Sequence, residues 1–236
     1  MTPGPHRPPP ADAGEAPTAA PSTPGERGPA DVAPTAGEAP TAASGDAVRL
    51  DEQAHYDRAL AAQVADQHGR AVISAQLGRP ARGRPAVVHR CVFGLPTVVR
   101  VDPRLDDGTP FPTTFWLTCP VLRSRVGRLE ANQSMVGLNE RLSREPDLAA
   151  DYAAAHERYV AARDRLGPAV PGNPSAGGMP GRVKCLHVHL AHHLATGDNV
   201  IGMWTASQVL PAPCDGPCVS DAEVAAWRDR LEPSST

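Results

Sequence analysis

Apolar positions along this chain change their period several times, and each change marks an element. Between Asp51 and Leu77, Leu60, Val64, His68 and Ala71 recur at steps of three or four, which predicts helix ended by Gly78-Arg-Pro. The part up to about residue 65 reads as a marginal helix or linker. The pattern then turns β-branched. Ala86-Val-Val-His-Arg-Cys-Val92 and Thr97-Val-Val-Arg-Val101 flank Phe93-Gly-Leu-Pro96, which predicts a hairpin. Asp106-Asp-Gly108 predicts a turn and Thr113-Thr-Phe-Trp-Leu-Thr118 a third strand. A bare small sheet is only marginally stable, so a helical cover on one face is expected.

Helical periods dominate the remainder. Pro120 suits a first helical position, with Cys119 as its N-cap, and Leu122, Val126 and Leu129 follow at helical spacing. Met135, Leu138 and Leu142 make a second short stripe. Pro146 opens a longer helix whose inner face is Leu148, Tyr152, Ala155, Tyr159, Ala162 and Leu166, a packing seam. A Pro/Gly-rich loop spans 167–178. A His-rich helix is expected from about 181 to 195, stopping at Gly197, then a turn at Cys214-Asp-Gly-Pro-Cys218 and a last helix from Asp221 to Leu231. The fold class is α+β: a small three-stranded antiparallel sheet packed by several helices, in one globular domain over 66–232.

Composition separates that domain from its N-terminus. Residues 1–50 are rich in Pro, Ala, Gly and Thr, lack aromatics, and repeat Gly-Glu-Ala-Pro-Thr-Ala-Ala at 14–20 and 37–43. Such a segment buries too little apolar surface to offset backbone ordering, so a disordered tail is expected, with a disordered end at 233–236. Three arginines against six acidic groups in the tail account for the whole net charge of −3. The rest is balanced, so general nucleic-acid binding is not expected. No apolar run reaches membrane-span length and no signal-peptide apolar region is present, so a soluble cytoplasmic protein is expected. Five cysteines in that compartment read as buried thiols, metal ligands or reactive groups rather than disulfides.

Candidate chemistry concentrates in Ala176-Gly-Gly-Met-Pro-Gly-Arg-Val-Lys-Cys-Leu-His-Val-His-Leu-Ala-His-His-Leu194. Thiolate and imidazole suit zinc, and thiolates an iron–sulfur cluster. On a helix, Cys185, His189 and His192 share one face at i, i+4 and i+7, while His187 takes another direction. Cys91 and Cys119 complete the candidate metal set if the sheet backs onto this helix. The thiols offer a second chemistry. Cys119 at a strand end and helix start, and Cys185 beside Lys184, His187 and His189, are the candidate catalytic residues. A third is anion binding: Gly177, Gly178, Arg182 and Lys184 place a flexible loop and two cations near a helix start, although their spacing is not that of a P-loop. Trp116, Trp204 and Trp227 read as core or interface anchors, and the charge alternation over 141–165 as a solvated helix face.

Arg90-Cys91 before Gly-Leu-Pro, Pro103-Arg-Leu-Asp-Asp-Gly-Thr-Pro-Phe-Pro112, Leu117-Thr-Cys-Pro120 and Ala176–His187 together resemble the actinobacterial family called domain of unknown function 501. The resemblance covers about 70 to 210 and implies an actinobacterial source without supplying an activity. Cys91, Cys119, Cys185, His187 and His192 match the family pattern. The chain departs from it at Cys91-Val-Phe-Gly94, where relatives often read Cys-Pro-Cys-Gly, and at His189, often apolar in relatives. Genes of relatives tend to lie near enolase, a septum-formation initiator and an exopolyphosphatase-like protein. Three expectations follow: a Cys/His-rich binding protein holding zinc or an iron–sulfur centre, an enzyme acting on a phosphorylated or other anionic small molecule, or a non-catalytic protein partner in division or envelope processes.

Overall fold

Eight helices and three strands follow one another along a computed structural model that describes residues 42–168, 170, 172 and 176–232. The expected tail lies outside the described residues as far as 41, as does the expected disordered end at 233–236. Where a single helical run from 51 to 77 was expected, the chain breaks after α1 (Ala42–Ala61) and restarts as α2 (Gln67–Leu77). Asp66 causes the restart: its carboxylate accepts a hydrogen bond from the Gly69 N–H at 2.7 Å, a helix N-cap. Gly78 ends α2 at φ 67°, a conformation that disfavours a side chain. The segment read as a marginal linker carries Tyr56 and Ala59, both buried in the main core.

Strands β1 (Ala86–Arg90), β2 (Pro96–Arg100) and β3 (Phe115–Leu117) form an antiparallel sheet in the order β1-β2-β3. Val98 pairs with Leu117, Val99 with Trp116 and Arg100 with Phe115. Successive side chains point to opposite faces. Val98, Phe115 and Leu117 therefore enter the main core, whereas Val99 and Trp116 join a second cluster with Ile73 of α2. Apolar residues on both faces demand two covers, so the expectation of one covered face is corrected. Helix α2 packs over the second face and against α8 (Asp221–Leu231), through Ala71, Val72 and Val224.

The main face is covered by α3 (Pro120–Ala131), α4 (Ser134–Arg144), α5 (Pro146–Asp164), α6 (Leu186–Thr196) and α7 (Val200–Val209). Tyr152, Ala155, Tyr159 and Ala162 are buried along α5, as the seam predicted. Helix α6 begins at Leu186, five residues later than expected. The preceding N–H groups are already committed: Arg182 donates to Gly178 O at 3.0 Å, Lys184 to Gly177 O at 2.7 Å, and Val183 to the Asn139 side chain at 2.8 Å. Helix α7 was not anticipated, because Gly202, Thr205 and Ala206 separate its two buried aliphatic residues, Ile201 and Val209, while Met203 is exposed. A Cβ on Gly202 would lie 2.1 Å from His189 O, so α6 and α7 touch backbone to backbone there. No helix among the described residues is long and apolar enough to cross a membrane.

Candidate functional site

Cys185 is the N-cap of α6 and makes no side-chain cap bond. A neighbouring helix supplies the cap instead. Glu130, in the last turn of α3, accepts the Leu186 N–H on Oε1 at 2.7 Å and pairs with His187 Nδ1 at 3.1 Å. The other ring nitrogen of His187 donates to the Arg123 carbonyl at 3.1 Å. The result is a half-buried cluster in which one ligand atom each from Glu130, Cys185 and His187 lies within 4.8 Å of the other two. Hydrogen bonding to Cys185, opposed by burial and reinforced by Glu130, holds the His187 imidazole up at about 9. Cys185 also lines an open hollow of about 570 Å³ with Gly177, Gly178, Met179, Arg182 and Lys184. Both cations are exposed, and no carboxylate among the described residues pairs with either.

The four proposed anion-binding residues thus share one hollow, but they precede the helix start instead of forming it. The two glycines have a packing reason of their own. Gly177 (φ 65°) sits where a Cβ would lie 2.8 Å from the His189 ring, and Gly178 (φ 97°) where it would lie 2.4 Å from Arg182 O. Both the left-handed backbone and the close approach require glycine.

His189 and His192 do not share a site with Cys185. Both are fully buried and joined by Asn199, whose Nδ2 donates to His189 Nδ1 at 3.1 Å and to His192 Nδ1 at 3.0 Å. The amide orientation follows from its other end, because Asn199 Oδ1 accepts the Gly202 N–H at 2.9 Å. Each neutral imidazole then carries its proton on Nε2. His192 donates to the Tyr56 hydroxyl at 2.5 Å, and Tyr56 donates to Asp198 Oδ2 at 2.8 Å. Arg158 grips both Asp198 oxygens at 2.7 and 2.8 Å. His189 Nε2 faces Gly177 O at 3.2 Å and the Tyr152 hydroxyl at 3.1 Å, and Tyr152 donates to Arg182 O. Burial pushes His192 down to about 3 and His189 to about 4. Burial opposes the Asp198 charge, yet the Arg158 hydrogen bonds prevail and hold that carboxyl at about 2. Every ring nitrogen is satisfied from within the protein, which makes this a structural network with no ligand position left over.

Cys91 and Cys119 lie elsewhere again, in the wall of a cavity of about 400 Å³ that also includes Cys214 and Cys218. Their sulfurs join no compact metal-type group among the described residues. Burial pushes the Cys119 thiol up, against the N–H groups of Leu122 and Val121 that draw it down. The helix-start argument for a Cys119 thiolate is outweighed by desolvation, which penalises the charged form. All five cysteines are free.

Compared with known proteins, residues 87–207 match the family described as Protein of unknown function (DUF501), just over half of the chain. The chain belongs to that family. No match was found among curated proteins or solved structures. The DUF501 stretch runs from β1 to α7, so it contains Glu130, Cys185, His187 and both buried histidines. Tyr56, Cys214 and Cys218 fall outside it.

Sequence reading singled out Cys185 and His187 but missed Glu130. A lone glutamate in an arginine-rich helix carries no spacing signal toward residues some fifty-five positions away. Tyr56, Asn199 and Asp198 were missed for the same reason: their partners are set by helix packing rather than by local order.

Proposed function

We propose that this DUF501 protein binds a divalent transition metal, zinc by preference, through Glu130, Cys185 and His187. One thiol, one imidazole and one carboxylate is a donor set that zinc accepts, and three protein ligands leave a fourth position for water or a ligand. The observation that carries the reading is the convergence of the three ligand atoms together with the fixing of His187 Nε2 by the Arg123 carbonyl. A backbone acceptor on the far nitrogen is the usual outer support of a metal-bound imidazole, and it leaves Nδ1 for the ion. An iron–sulfur centre fits less well, because such clusters take several thiolates and Cys185 is the single sulfur of the group.

Cobalt(II) titration of the reduced protein tests the proposal. One ion per chain is expected, with a thiolate-to-metal charge-transfer band that C185S abolishes. E130Q and H187Q should each weaken binding at least about tenfold, the scale already seen for outer-support losses. C91S and C119S should leave it unchanged. Binding without a sulfur band, or a C185S variant that binds like the parent, overturns the assignment.

A second reading builds on the first. Cys185 belongs both to the cluster and to the hollow that holds Arg182 and Lys184. An anionic small molecule seated on those cations would reach the open metal position, which favours an enzyme acting on a phosphorylated substrate. Inorganic phosphate should then bind the zinc-loaded protein more tightly than the metal-free protein, and R182A/K184A should erase the difference.

A further inference from the structure

The apolar cavity that holds Cys91 and Cys119 belongs to neither the metal cluster nor the buried histidines. It is enclosed by the β1–β2 hairpin, the end of α2, the start of α3 and the segment 210–218. Its volume of about 400 Å³ lies within the range of small-molecule sites, roughly 300–1,000 Å³. Leu122, Leu194, Pro96 and Ala212 make much of the wall. At its rim Val92 is 92 % exposed, and Phe93 and Leu210 are each 40 % exposed.

One polar group in that wall lacks a partner. Gln76 is 4 % exposed, and its Nε2 donates to Pro96 O at 2.8 Å and to Cys218 Sγ at 3.4 Å. Those two acceptors fix the amide, and Oε1 is left buried with no hydrogen bond. A buried acceptor without a donor is costly and rare in native proteins. A resident water is a poor remedy, because a buried water needs roughly two to four polar partners and this wall is overwhelmingly apolar. Among the described residues, no acid or lysine lines the cavity, and its one arginine, Arg90, is exposed and bonded to Gly94 O.

We propose that this cavity binds a small, uncharged, mainly apolar molecule whose single hydroxyl or N–H donor is accepted by Gln76 Oε1. The apolar body fills the wall between hairpin and α3, and the donor completes the one unmet acceptor. The exposed apolar rim at Val92, Phe93 and Leu210 is the way in.

Two measurements on the reduced full chain test this. In the first, the fluorogenic amine N-phenyl-1-naphthylamine is titrated in and displaced by 2-naphthol or by 2-methoxynaphthalene, which lacks the donor. Saturable uptake at one site per chain is expected, with the naphthol about two- to tenfold more effective, the span of one hydrogen bond. Q76L should erase that preference, and A212W should abolish uptake. In the second, the unaltered chain is alkylated with N-ethylmaleimide and read cysteine by cysteine. With free 2-naphthol at about ten times its Kd, about a tenth of sites stay open, so Cys91, Cys214 and Cys218 should slow about tenfold while Cys185 does not. Absence of saturable uptake, or protection that extends equally to Cys185, overturns the proposal. The alkylation arm decides the matter even if a variant fails to fold.

Discussion

Helix α6 serves two polar regions that differ in one physical respect, access to water. At its start, His187 is half-buried beside Glu130 and Cys185, and its imidazole is held up at about 9. Two and five residues further on, His189 and His192 are sealed in and held down at about 4 and 3. The residue type is the same in both, so histidine content alone says nothing about ligation. What decides is the partner set. The buried pair has both nitrogens of each ring satisfied by Asn199, tyrosines or backbone, whereas the cluster at the helix start has a thiol, an imidazole and a carboxylate facing one another.

The strongest way to break the comparison is to force the sealed region open. G202A places a methyl 2.1 Å from His189 O, a backbone atom that no rotamer change can move. Overpacking of that kind should cost about 3 kcal/mol or more, measured as a fall in the urea midpoint. G127A is the matched control, since a Cβ there meets nothing within 4 Å. It should stabilise α3 by about 0.5–1 kcal/mol. Equal losses in the two variants would show that α6 and α7 are not in backbone contact.

Y56F comes next. Its hydroxyl accepts from His192 and donates to Asp198, so removal strands two buried groups at once. A loss of about 2 kcal/mol is expected. Because Tyr56 lies on α1, outside the DUF501 stretch, a neutral result would mean that α1 is dispensable to the network.

Acid provides a milder probe of the same region. His192 faces Tyr56 from α1, Tyr159 from α5, Asp198 and Arg158, and it has His189 and His193 on its own helix. A histidine held below its ordinary value of 6.5 takes its proton first in the unfolded chain. The contribution of His192 is therefore complete above about pH 6.5 and declines as pH falls toward about 3. The slope should be about 1.4 kcal/mol per pH unit for each withheld proton, and His189, held down at about 4, withholds a second over the same range. Asp198 adds a loss of the same sign only below its ordinary 3.8, down through about 2. Urea midpoints between pH 6.5 and 5 isolate the histidine contribution, and a flat profile there would place a water beside His192.

Much of this fold was legible from local signals. Proline at Pro120 and Pro146, the Tyr152–Tyr159 seam and the β-branched hairpin lie within a few residues of what they specify. Helix α7 was not legible, because its buried aliphatic residues, Ile201 and Val209, stand eight positions apart with Gly202, Thr205 and Ala206 between them. Of the site, Cys185 and His187 were legible as ligand types two residues apart. Their grouping with Cys91 and Cys119 could not be judged by spacing, since the sheet turns those thiols toward a different cavity. Glu130 and Gln76 gave no signal because their roles arise when α3 meets α6 and when α2 meets the hairpin.

The smallest expected effect on stability is at the other end of α6, and it sharpens the comparison most. E130Q keeps the acceptor that caps Leu186 N–H and loses only the charge facing His187. Both side chains are partly exposed, at 23 % and 29 %, so the ion pair is screened and its loss should cost within about 1 kcal/mol. The same variant should lose cobalt binding at least about tenfold. A residue whose removal barely moves the urea midpoint yet removes the ion holds a ligand position rather than the fold. If E130Q instead unfolds the protein as readily as Y56F, the charge of Glu130 facing His187 holds the fold itself, and the cluster is a structural ion pair rather than a ligand set.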